Sequence, residues 1–167
     1  MSMIHKKYCL DANALIVAWE KYYAPEICPA YWEILDQLGT QGRVFLPAMV
    51  FHEVLKIDDG LARWLKSSNI EVKQITSSVN KCLSSIYVKD VKHKLLVDNT
   101  KGRSLADPWV IAHAMDNEAC VVTKENLVIA ANSKRIKIPN VCNAMGVEWM
   151  DDFGFIKAIG LKFSCEI

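Results

Sequence analysis

The chain has 167 residues, 51% of them apolar and 23% charged, with a net charge of +1. That is enough for one domain with a substantial core and too little for two comfortable ones. A charge this close to zero excludes a globally basic nucleic-acid binder and leaves only a local patch for such contacts. Mean hydropathy is +0.10, and no apolar run approaches the roughly 20 residues that cross a bilayer.

In chain order, Tyr8-Cys9-Leu10 reads as a buried strand ending at Asp11, and residues 12–22 read as a helix. A second helix is expected over Pro29–Leu38, with Gly39 and Gly42 marking its end. Val44-Phe45-Leu46 is the next strand, and helices follow over 48–56 and 61–65. Residues 72–75 alternate weakly as a strand, and 77 to about 96 read as mostly helical. The polar stretch 99–105 reads as a loop. Asp107-Pro108 then opens a helix, Asp as N-cap and Pro at the first helical position. Residues 119–122 form a wholly apolar strand ending at Thr123, 147–150 a last strand, and 151–159 a terminal helix. No helix is read between 126 and 146.

Strands alternating with helices predict an α/β fold, three layers α/β/α around a central parallel sheet of four to five strands. In such sheets ligands bind at the carboxyl ends of the strands. Four acids fall there: Asp11 after the first strand, Glu53 on the helix after the second, Asp107 opening the helix before the 119–122 strand, and Glu125 just after it. Carboxylates gathered in one pocket repel each other unless a cation neutralises them. All-oxygen ligation suits Mg²⁺ or Mn²⁺, which can activate a water and stabilise charge on a phosphate. The four acids are therefore expected to bind metal and to serve catalysis, with phosphodiester hydrolysis as the reaction class.

Asn13 can orient Asp11 or cap a helix, and Thr123 can bond a carboxylate or simply end its strand. Ser104, Arg103, Lys124, Lys134 and Arg135 are candidates for contact with a phosphate backbone, with Lys101 and Lys137 nearby. The histidines do not pair at metal-ligand spacing, and His52, although next to Glu53, is expected on a different helix face. Six cysteines stand apart with no C-x-x-C spacing, so they read as reduced structural thiols of a cytoplasmic protein. No secretory signal is expected at the first residues.

Tyr8-Cys-Leu-Asp11-Ala-Asn13, Pro47-Ala-Met-Val-Phe-His-Glu53, Leu105-Ala-Asp107-Pro-Trp-Val-Ile-Ala112 and Val121-Val-Thr123-Lys-Glu125 together resemble, in the right order, the motifs of the PIN-domain family. The resemblance is to the VapC-type toxin ribonucleases of bacterial toxin–antitoxin pairs, and the tail from Ile138 to Phe153 is similar to a small branch of PIN-like proteins. Glu125 departs from the family, where Asp is more usual. The resemblance implies one PIN-like nuclease domain over 1–167 and a metal-dependent endoribonuclease acting on single-stranded RNA. It further implies a homodimer and a cognate antitoxin that reaches the site. A non-cutting PIN-like module that binds RNA or protein is the alternative. Haloacid-dehalogenase-like and receiver folds fit less well, because Asn13 stands where a second Asp is needed and no acidic pair precedes Asp11.

Overall fold

The computed structural model describes residues 5–56, 59–98, 100, 102, 104–130 and 134–167. Five strands form one parallel sheet in the order β3-β2-β1-β4-β5: β1 (Tyr8–Leu10), β2 (Val44–Pro47), β3 (Glu71–Lys73), β4 (Cys120–Val122) and β5 (Trp149–Met150). Every residue of β1, β2 and β4 is buried, as strands covered on both faces must be. Alternation along β1 shows the two covers. Cys9 donates from Sγ to Val110 O at 3.6 Å, towards α6 (Asp107–Asp116). Tyr8 meets Phe155 of α8 (Asp152–Ile159) edge-on at 4.9 Å. The architecture is thus the expected three layers, with five strands. Among the described residues no helix is long and apolar enough to cross a membrane.

The remaining helices are α1 (Ala12–Val17), α2 (Pro29–Thr40), α3 (Ala48–Leu55), α4 (Gly60–Ser67), α5 (Ser77–Lys89) and α7 (Ile138–Met145). Three differ from expectation. The helix expected over 12–22 changes at Ala18 into a wider π turn ending at Tyr22, closed by Tyr23 N–H on Ala18 O at 2.8 Å. The helical stretch expected to run to about 96 breaks at Asp90, whose extended backbone and side chain, accepting from Lys92 N–H at 2.9 Å, start a 3₁₀ segment over Val91–Leu96. Short polar side chains compete with helix bonds in this way. Helix α7 was not expected at all, although Ile138, Val141, Cys142 and Met145 recur at helical spacing.

Helix α2 ends against the segment entering β3. A Cβ on Gly39 would lie 2.8 Å from the Cα and N of Ile70 and 2.9 Å from Asn69 C, all backbone atoms. Backbone cannot swing aside as a side chain can. Gly39→Ala should therefore destabilise the fold by about 1–3 kcal/mol, despite the roughly 1 kcal/mol that alanine gains over glycine inside a helix. A urea midpoint equal to or above that of the wild type would show that the two segments can separate at no cost.

Candidate active site

The chain passes from β1 to β2 and β3 on one side of the sheet and then places β4 and β5 on the other. The reversal lies between β1 and β4, and a crevice opens outside the carboxyl ends of strands at such a point. Asp11 and Thr123 stand on its two sides. Asp11 N–H donates to Val122 O at 3.0 Å, which continues the β1–β4 ladder one step beyond Leu10.

Asp11 is 3% exposed and caps α1. Its Oδ1 accepts from Ala12 N–H at 2.8 Å, and its Oδ2 accepts from the Thr123 hydroxyl at 2.9 Å. The same hydroxyl accepts from Glu125 N–H at 3.1 Å. Asn13 accepts from Lys124 N–H at 2.9 Å, so its amide fastens the start of α1 to the chain leaving β4. Asn13 and Thr123 thus fix where Asp11 and the 123–125 turn sit relative to each other.

Asp107, expected as a helix cap, lies inside the first turn of α6, and Ala106 takes the cap position. Its carboxyl is therefore not spent on backbone N–H groups of that turn. It is 8% exposed. Glu53, half-buried on α3, completes the arrangement. Asp11, Glu53, Asp107 and Glu125 all line one cavity of about 520 Å³. Burial pushes the Asp11 carboxyl up to about 7, helped by the charges of Glu125 and Glu53, against the Thr123 and Ala12 hydrogen bonds that pull it down. Burial, then Asp11 and Glu125, pushes Asp107 up to about 8, against a hydrogen bond from Ser104. Burial also raises Glu53, with Lys56 opposing. Carboxyls raised in this way form a pocket short of positive charge.

Glu125 reaches the cavity but carries other duties. Its Oε2 accepts from Ile138 N–H at 2.8 Å, satisfying a donor of the first turn of α7, and its Oε1 pairs with Lys137 at 3.2 Å. Asn140 secures the same turn by bonding Val128 in both directions, at 3.2 and 2.9 Å. Among the described residues no three His, Cys, Asp or Glu side chains stand close enough to enclose a metal ion unaided.

His52 corrects the sequence reading: it lines the cavity beside Glu53, and so do Met49 and Lys56. Their spacing, 49, 52, 53 and 56, is one helical stripe, and that periodicity was available in the sequence. Lys124, a candidate for RNA contact, turns away from the acids. Its ammonium bonds Asp152 at 2.8 Å and lies over the rings of Tyr22 and Phe153 at 4.6 and 5.0 Å. Ser104 lines the acidic cavity, whereas Lys134 and Arg135 line a different one. Arg103 and Lys101 lie outside the described residues.

The family described as "Domain of unknown function (DUF4411)" matches residues 8–163. No curated protein matches the chain. Among solved structures, the chain is similar to a chain from the crystal structure of VapBC2 from Rickettsia felis bound to a DNA fragment from their promoter. The TM-score is 0.55 at 14% identity, covering 86% of this chain and 97% of that one. At that identity the likeness is one of fold, in line with the PIN-like architecture expected from the sequence.

Proposed function

The chain belongs to the DUF4411 family, and we propose that, as one PIN-like domain over 1–167, it is a cytoplasmic Mg²⁺- or Mn²⁺-dependent endoribonuclease cutting single-stranded RNA. The observation that carries this reading is the shared cavity of Asp11, Glu53 and Asp107 at the β1–β4 crevice, with two carboxyls raised to about 7 and about 8. A site of carboxyls that burial and mutual repulsion keep protonated near neutral pH gains most from a cation.

Mg²⁺ keeps several waters and uses one or two carboxylates. A cavity of about 520 Å³ whose acids do not converge into a closed cage therefore suits a hydrated ion. Asp11 and Asp107 would hold it directly. Glu53 would share in holding it, and Glu125 would add charge while it retains α7. When bound, such an ion would supply an acidified water and neutralise charge on the phosphate. Asp11 has two lone-pair directions committed to Thr123 and Ala12 and keeps the others for the cavity. Thr123 and Asn13 hold that orientation. The fold shared with VapBC2 supports a further step: the chain is the toxin of a toxin–antitoxin pair, with a protein antitoxin and a second copy of itself as partners.

One observation favours a second reading, a catalytically weak module that binds RNA or protein: both oxygens of Glu125 are engaged within the fold. The deciding experiment incubates the protein with labelled single-stranded RNA and DNA in Mg²⁺, Mn²⁺ and EDTA, beside Asp11→Asn. The expected result is RNA cleavage that requires metal and falls by about 10²-fold or more in the variant. No cleavage of varied RNA sequences in either metal, by protein shown free of bound inhibitor, transfers the weight to the binding reading.

A further inference from the structure

A second cavity, of about 660 Å³, adjoins the acidic one. Its charge is of the opposite kind: among the described residues, Lys94 from the 3₁₀ segment, Lys134, Arg135 and Lys137 line it together with one acid, Asp98. Two features join the cavities. Ser104 lines both. Lys137 on the basic side pairs with Glu125 on the acidic side at 3.2 Å, so this ion pair forms part of the divide. Ser104 itself has φ +60, an uncommon backbone state for a residue with a side chain, and its carbonyl accepts from Asp107 N–H at 3.2 Å. The chain is near neutral as a whole, yet it sets an acidic pocket and a basic pocket side by side.

We infer that the basic cavity is a second phosphate subsite, in which Lys94 and Lys134 take the backbone phosphate neighbouring the one held at the acids, so that a single strand runs across Ser104. The inference rests on the phosphodiesterase reading of the acidic cavity for its purpose, since an isolated basic cavity would not define a strand path. Its chemistry is the complement of that site. A cation among carboxylates neutralises the phosphate that reacts, and ammonium groups neutralise the next one along. Neither lysine is buried, so both can be replaced without disturbing the core. Lys137 is left out of the test because its pair with Glu125 supports α7.

The test measures binding in EDTA, where no metal contributes, by fluorescence anisotropy of labelled single-stranded RNA and DNA 12-mers at several salt concentrations. Wild type is compared with the double variant Lys94→Glu, Lys134→Glu, both checked by circular dichroism and thermal melting. Loss of two single-strand phosphate contacts should flatten the slope of log K against log salt by about 1.4, with affinity at low salt falling about tenfold or more. Equal fall for RNA and DNA assigns the subsite to the phosphate backbone shared by both. A fall for RNA alone adds recognition of the ribose. If wild type does not bind, or the folded variant binds with unchanged affinity and slope, the subsite is overturned, whatever the cleavage assay gives. If the variant loses binding while wild type cuts nothing in Mg²⁺ or Mn²⁺, the subsite stands and the hydrolase reading fails.

Discussion

Metal-free protein should lose stability as the pH rises from about 4 to about 8, and Asp107→Asn should remove part of that loss. The sign follows from proton counting. Folded Asp107 and Asp11 hold their protons up to about 8 and about 7, whereas an unfolded aspartate releases its proton near 4. Between those values the folded state binds more protons than the unfolded state, so each rise in pH favours unfolding. The loss is up to about 1.4 kcal/mol per pH unit for each such group. It is complete above the folded value. In EDTA at pH 8.5, Asp107→Asn should melt higher than wild type, by about 2–4 °C for each kcal/mol of that loss the amide removes in a chain this long. Adding Mn²⁺ should narrow the gap. The ion binds the ionised acids of the wild type, and at about 100 times its Kd it contributes about 2.7 kcal/mol, which the variant forfeits. A melting profile flat with pH, and identical in wild type and variant with and without Mn²⁺, would remove the electrostatic case for a metal site.

Lys124→Ala should cost about 3 kcal/mol or more, because it strands a buried charge. Asp152 is 1% exposed, and Lys124 is the partner of its Oδ1, while its Oδ2 has none among the described residues. The lysine also covers Tyr22 and Phe153, so its loss removes packing as well as charge. The melting temperature should fall by about 6–12 °C. Adding Asp152→Asn to Lys124→Ala should recover part of the loss, since the amide needs no counter-charge; a double-variant cycle measures the coupling. Weakened RNA binding with an unchanged melting temperature would return Lys124 to the nucleic-acid surface and refute its structural role.

Lys124 also illustrates where the sequence stops being informative. Its place just beyond β4 was legible, but nothing local fixes which way a long side chain turns. Asp152 lies 28 positions away and meets it only because β5 pairs beside β4. Glu125 is a similar case. The sequence placed it near the acids, and the cavity includes it. Its commitment to Ile138 N–H depends on α7, a helix whose apolar stripe went unread beside the basic run Lys134-Arg135-Ile-Lys137 and the breaker-like Pro139. His52 reads from the sequence as facing elsewhere, whereas helical geometry places it and Glu53 at the edge of the same stripe as Met49 and Lys56.

The sequence by itself determined the alternation of strands and helices, and with it the carboxyl-edge positions of Asp11, Glu53, Asp107 and Glu125. These follow from short-range patterns: apolar runs that must be buried on both faces, and turns that must come after them. The tertiary structure alone decided that β1 and β4 adjoin, so that Thr123 orients Asp11 across 112 positions of chain. It alone decided that Lys124 serves Asp152, and that an acidic and a basic cavity meet at Ser104. Strand order, burial and side-chain direction arise from packing between segments distant in the chain, and that packing leaves no mark on the spacing of neighbouring residues.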